Sequence, residues 1–242
     1  MKNIVDRRAD SALLAARAAQ VQRGGARAAV LGVNDGLVSV LCIVLAVAGA
    51  AATNGTVLLA GLAGLIAGAI SMAVGEWISV QSQVELFQGV LGDVKHLVKH
   101  DQDLLVEELQ RNLETTGVSA KTAQATATEL ARDKQHFYDF FVSRVIGINP
   151  DELGSPWVAA GSSFALFTLG ALAPILPWVW MTGTTAVYAS IVFTALGSLL
   201  VGGYVARSSG NPIAKGAIRQ LLIVIVAAVV TYGLGHIFGQ VA

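Results

Sequence analysis

Residues 28–52, AAVLGVNDGLVSVLCIVLAVAGAAA, hold one charged side chain, Asp35, and residues 57–80, VLLAGLAGLIAGAISMAVGEWISV, hold one, Glu76. Each run exceeds the roughly 20 apolar residues that a helix needs to cross a bilayer. A carboxylate deep in a membrane helix costs roughly 2.5–3.5 kcal/mol to insert, so such acids face a protein interior or a watery path. They are candidate functional sites, and here they point to a passage for a cation.

The rest of the chain carries the same stamp. It is 54% hydrophobic and 13% charged, against about 25% charged in an ordinary soluble domain, which excludes such a domain. Net charge is zero, and no basic patch is interleaved with aromatics, so no nucleic-acid partner is expected. Cys42 stands alone in an apolar span and reads as a small hydrophobe. Residues 1–27 lack the apolar core of a cleavable signal peptide. Asp6–Arg23 reads instead as an amphipathic surface helix.

Five spans can be placed: Ala28–Ala52, Val57–Val80, Pro156–Leu176, Thr184–Ala206 and Ala217–Gly239. Nothing between Glu152 and Arg207 is charged. Pro174 and Pro177, with Trp178 and Trp180, mark an interfacial turn between spans three and four. All 16 Lys and Arg fall in residues 1–27, 81–155 and 207–219, and none in the turns near Thr53–Thr56 and Thr182–Thr185. By the positive-inside rule the N-terminus and residues 81–155 are cytoplasmic and the C-terminus lies outside. The expected organisation is an N-terminal segment (1–27), spans one and two (28–80), a cytoplasmic three-helix domain (81–155) and spans three to five (156–242).

Residues 81–155 hold 12 of the 16 acids and three of the four histidines. Val84–Asn112 shows helical periodicity, with Val94, Leu97, Val98, Leu104 and Leu105 on one side. Thr115–Gly117 reads as a stop, Ser119 caps a helix over Ala120–Arg132, and a third helix covers Lys134–Ile146, ending at Gly147. Asn149–Pro150 opens a turn into span three.

Within span one, Gly32 and Gly36 flank Asn34-Asp35, which lets another backbone or an ion approach; Asn34 and Ser39 add oxygen ligands. In span two, Met72 and Glu76 are four residues apart and share a helix face. A thioether beside a carboxylate suits Fe(II) or Mn(II) better than Na⁺ or Mg²⁺. Gly61, Gly64, Gly68, Ser71 and Gly75 form a small-residue stripe that reads as packing, within the chain or across a subunit interface. In residues 81–155, Asp93, His96, His100, Asp103 and Glu107 step by three or four along one helix face. Asp93 with His96, and Asp133 with His136, are one-turn pairs of metal-ligand types on different helices, the kind that build di-metal sites in bundles. A charged stripe is also what any solvated face looks like. His236 reads as hydrogen-bonded structure, and no nucleophile–base order, phosphate loop or Cys-x-x-Cys argues for an enzyme.

These motifs resemble those of the vacuolar iron transporter family. The likeness covers nearly everything after residue 22. It is strongest at Arg27-x-x-x-Leu31-Gly32-Val33-Asn34-Asp35-Gly36-Leu37-Val38-Ser39 and at Ala69-Ile70-Ser71-Met72-Ala73-Val74-Gly75-Glu76-Trp77. Asp151-Glu152-Leu153-Gly154-Ser155-Pro156-Trp157 and Gly170-Ala171-x-x-Pro174-x-x-Pro177 add weaker support. The resemblance implies a five-span homodimer, with a three-helix cytoplasmic domain, that moves Fe²⁺, often Mn²⁺ as well, out of the cytosol in exchange for protons. It implies that Asp35 and Met72 line the ion path at the dimer interface. Departures are plain. Ala28 and Gly64 stand where plant members carry acids, and Glu76 follows the bacterial pattern. Of the family's cytoplasmic metal-binding acids only Glu108 remains: Leu105 and Val145 replace glutamates, and Phe141 and Val142 replace a methionine pair. A cytoplasmic site is then lost, or rebuilt around His96 and His100.

The reading is an all-α integral membrane protein, with five transmembrane helices and a helical insert. Its expected role is proton-coupled export of Fe²⁺ or Mn²⁺ as transported ions, with no permanently bound cofactor. A bacterial inner membrane is the expected location. Two rivals remain from the residues alone: a non-transporting membrane scaffold, and a membrane-tethered di-metal oxidase built on Asp93, His96, Asp133 and His136.

Overall fold

The computed structural model describes residues 25–147, 149 and 153–240, with side chains from residue 30 onward. The expected Asp6–Arg23 helix and the Asp151–Glu152 pair lie outside those residues. The described chain is helical: α1 (Gly25–Gly49), α2 (Asn54–His100), α3 (Gln102–Thr115), α4 (Ala120–Leu130), α5 (Lys134–Phe141) with a π turn (Val142–Ile146), α6 (Pro156–Ile175), the short α7 (Pro177–Trp180), α8 (Gly183–Ser208) and α9 (Ile213–Gly239). Five of these, α1, α2, α6, α8 and α9, are long and apolar enough to cross a membrane. The chain divides into two compact units, residues 79–155 and the remainder.

In the membrane unit α1 is the hub, packed against α6, α8 and α9. Val40, Leu41, Val44 and Leu45 are each at most 1% exposed. Glycines permit the closest crossings. A Cβ on Gly36 would fall on the Phe167 carbonyl, and one on Gly170 would fall on the Val33 carbonyl. Helix backbones meet this closely in membranes only where side chains are absent. At the opposite end of α1, Gly235 lies against the Ala46 backbone.

The small-residue stripe of α2 faces the chain's own bundle. Gly61 meets Val44 and Ile175, Gly64 meets Ile43, and Gly68 meets the Phe167 ring. Gly61, Gly64 and Gly68 thus pack within the chain, while Ser71 and Gly75 are exposed. Only Gly75 has open space beside it.

Trp178 lies in the turn between α6 and α8, as expected, but its side chain is turned into the protein. It is 3% exposed, and its indole N–H donates to Ser190 Oγ at 2.9 Å, while that hydroxyl donates to the Pro174 carbonyl at 2.7 Å. The Pro174 carbonyl lies in the last turn of α6, where helix carbonyls are left without an intrahelical partner. Trp180, 74% exposed, keeps the interfacial character.

In the insert, the helix expected over Val84–Asn112 is two helices. Nothing between Val80 and Val84 breaks a helix, so α2 runs on to His100. The chain leaves helical geometry at Asp101 (φ −151°, ψ 60°). The break turns α3 back so that Leu105 and Leu109 join Val94, Val98, Ala127, Phe137 and Phe141 in one core. Gln102 secures it by donating its side-chain amide to the Ala131 carbonyl at 2.7 Å. Ser119 caps α4 and Asp133 caps α5, and Gly147 ends the π turn at φ 77°.

Candidate functional site

Asp35 sits mid-helix on α1 between Gly32 and Gly36, which are both buried against α6, yet the carboxylate itself is exposed. Its one partner among the described residues is the Ser39 hydroxyl, one turn on, which donates to Asp35 Oδ1 at 2.6 Å. Asn34 is half-buried, and its Oδ1 is shut away from solvent with no hydrogen-bond partner. Glycine on either side, an acid, an amide oxygen and a hydroxyl thus occupy two turns of one helix.

On α2, Met72 packs against the core that contains Val40 and Phe167. Glu76 is half-buried and has no hydrogen-bond or ion-pair partner among the described residues. The two helices run antiparallel, with Gly61 at Val44 and Gly64 at Ile43. Beside Glu76, the Trp77 ring packs edge-on against Trp157, centroids 5.7 Å apart, and its buried N–H has no partner. Sequence reasoning passed over this indole as a possible donor. The signal was available, since a tryptophan N–H in an apolar run must find an acceptor or go without.

Asp35 with Ser39 and Asn34 on α1, and Glu76 with Met72 on α2, lie in spans that hold no lysine or arginine. Such a set can bind a divalent ion or a proton, and binding either relieves the charge. Its outward side is open: Asp35 is exposed, and so is the apolar row Leu59, Leu62, Ile66, Ile70, Val74 and Ile78 on α2.

The insert residues are not drawn together in the same way. Among the described residues no three His, Cys, Asp or Glu side chains converge on a metal-sized space. Asp133 serves as the N-cap of α5, accepting from the His136 and Gln135 backbone N–H groups at 3.0 and 2.9 Å. These donors, His136 first, hold its carboxyl below the usual carboxylate range. The Asp133-x-x-His136 spacing is thus explained by capping. Glu108 pairs with Arg111 at 3.3 Å, both well exposed. Asp93, Asp103, Glu107 and His136 are solvated. His96 and His100 do come together, as stacked rings. His236 contacts the Gln240 amide at 3.1 Å, in keeping with a structural role.

The profile of the VIT family matches residues 26–236. The chain belongs to the VIT family. Among its relatives is a "Vacuolar iron transporter" of Acanthamoeba castellanii, 32% identical over 216 residues, which span 88% of this chain and 78% of that protein. "Vacuolar iron transporter homolog 1" of Oryza sativa subsp. japonica is 32% identical over 88% of this chain and 74% of its own length. "Vacuolar iron transporter 1" of Eucalyptus grandis is 26% identical over 85% and 83%. The family resemblance read from the Asp35 and Glu76 motifs is thus correct, and both motifs lie inside the matched region.

Proposed function

We propose that this VIT-family chain is a proton-coupled exporter of Fe²⁺ or Mn²⁺ from the cytosol, acting as a homodimer. The observation that carries the reading is the pair of membrane-span acids, which among the described residues have only a local hydroxyl, at Asp35, and no partner, at Glu76. An acid kept unpaired in hydrocarbon is tolerated where something else neutralises it. The names of the relatives supply the cargo class, iron. Met72, one turn before Glu76 on α2, adds the soft ligand that separates Fe²⁺ and Mn²⁺ from Mg²⁺. Asn34 and Ser39 supply further oxygens.

The mechanism is competition. Metal arriving from the cytosol binds ionised Asp35 and Glu76. Protons from the other side neutralise the carboxylates and release the ion. A second copy, laid on the open side of α1 and α2, closes the passage and covers Asp35. The N-terminus and insert face the cytoplasm, in keeping with the lysine and arginine distribution; the bacterial inner membrane is the proposed location.

The test is metal uptake into proteoliposomes under an imposed pH gradient, run across Fe²⁺, Mn²⁺, Co²⁺ and Zn²⁺. The reading expects uptake that needs the gradient and favours Fe²⁺ or Mn²⁺. Uptake indifferent to the gradient would remove proton coupling, and no uptake of any ion would favour the scaffold.

A further inference from the structure

We propose that the membrane unit binds water inside the protomer, at a line of hydroxyls on α8 that borders the Asp35 segment of α1. Ser190, Thr194 and Ser198 follow one another at steps of four and are all fully buried, so they stand one above the other on the same side of the helix. The first is bonded twice, to the Trp178 indole and to the Pro174 carbonyl. The hydroxyls of Thr194 and Ser198 have no hydrogen-bond partner among the described residues, and neither has that of Ser163 on α6, which is equally buried.

Helix chemistry alone does not leave them bare. A serine or threonine in a helix can return its hydroxyl to a carbonyl about one turn back. Ser162, Thr168 and Thr231 do so, to Ala159, Phe164 and Ala227, at 2.9, 2.8 and 2.7 Å. Ser163, Thr194 and Ser198 do not, so their hydroxyls are turned from their own helices to the ground between helices. That ground runs along α1. A Cβ on Gly32 would meet the Ser163 carbonyl, one on Gly170 the Val33 carbonyl, and one on Gly197 the Leu37 side chain. Asp35 belongs to this stretch of α1, with its own side chain exposed. Gln220 of α9 continues the line. It is 8% exposed, its Cβ lies against Gly202, one turn past Ser198, and its amide has no partner among the described residues.

The lining selects the ligand. Hydroxyls and an amide both donate and accept, and none carries charge. Helices α6 and α8 hold no charged residue between Glu152 and Arg207, so neither an anion nor a divalent metal would be neutralised here. Water also donates and accepts. Cβ atoms one turn apart on a helix are about 5–6 Å from each other. Hydroxyls so placed are too far apart for a direct bond, and one water with bonds of about 2.8 Å to each joins them. Serving buried polar groups that lack a protein partner is the usual task of internal water. The site is separate from the Asp35–Ser39 pair and independent of the transport reading.

The experiment uses the full-length protein in lipid nanodiscs with ¹³C-labelled threonine methyls, and follows magnetisation transfer from water by NMR. We expect transfer to the Thr194 methyl that exceeds transfer to that of Thr231, whose hydroxyl is bonded within its own helix. Ser198→Ala should remove the excess. Thermal melting of Thr194→Val gives a second reading with opposite signs for the alternatives. Replacing a dry, unpaired hydroxyl by a methyl stabilises a protein, whereas removing one that holds a bound water does not. The melting temperature of Thr194→Val should therefore fall. Three results would each overturn the proposal: no excess transfer at Thr194 in the parent chain, an excess unchanged in Ser198→Ala, or a Thr194→Val variant that melts at or above the parent temperature.

Discussion

Helices α1 and α2 each carry one acid into the membrane unit, but they are held in opposite ways. In their most apolar windows, 39% of α1 is buried and 17% of α2. Helix α1 is surrounded, and glycine lets its backbone touch that of α6. Helix α2 lies at the edge, with glycines turned inward and a row of large apolar side chains turned out. Helix α9 is as bare as α2, at 17%, but it carries no acid, and its bare side suits lipid. What α2 adds is Glu76, beside a hub whose own Asp35 is exposed. An exposed carboxylate at that depth is costly in lipid, so the contrast teaches that this one side of the unit is unfinished, and a second copy is the proposed cover.

The largest effect expected from this contrast is on folding. Gly36→Val drives a side chain into the Phe167 backbone and should eliminate monodisperse protein in detergent. Gly75→Val, on the open part of α2, should leave the elution profile intact. Equal behaviour of the two variants would erase the distinction. Next comes association. Ile70→Cys on α2 should cross-link most chains into dimers under mild oxidation in membranes, and Val229→Cys on α9 should not, although Val229 is 69% exposed. A reversed pattern would move the interface. Within the bundle, Trp178→Phe removes the indole donor to Ser190 and should lower stability by about 0.6–1.7 kcal/mol, the range for polar contacts between membrane helices. Thermal melting in detergent reads this, and a larger loss would mean that the proline-end relay holds more than one contact.

The smallest effect concerns an acid with a structural task. The folded-state pKa of Asp133 is lowered by backbone donors. The stabilisation it gives is therefore present above the unfolded value of 3.8 and fades as pH falls through the lower folded value. The melting temperature of Asp133→Ala should trail that of the parent chain at pH 6, and the gap should close below about pH 3.8. A gap that widens in acid would contradict the capping assignment.

The five crossings were legible because lysine, arginine and acid are nearly absent from them, and nothing but a membrane tolerates such runs. Asp35 and Glu76 stood out for the same reason. The break at Asp101 was not legible. The apolar period of Val94, Leu97, Val98 and Leu105 continues across it, because both helices bury these residues in one core, while Leu104, expected on the same side, is exposed. The burial of Trp178 was not legible, since its acceptor, Ser190, is on another helix. Asp133 caps α5, and the sequence alone does not separate a helix cap from a metal ligand, because both use the same residue type at the same spacing. The facing of Gly61, Gly64 and Gly68 depended on which neighbour filled the groove, which one helix does not encode by itself.

The central claim is that Asp35 exchanges metal for protons on the passage between α1 and α2. Metal-driven proton flux in proteoliposomes, parent against Asp35→Asn, tests it most directly. The account predicts that Asp35→Asn folds and inserts normally while its flux falls by at least about tenfold, the rate equivalent of about 1.4 kcal/mol. Flux equal to that of the parent chain would contradict it.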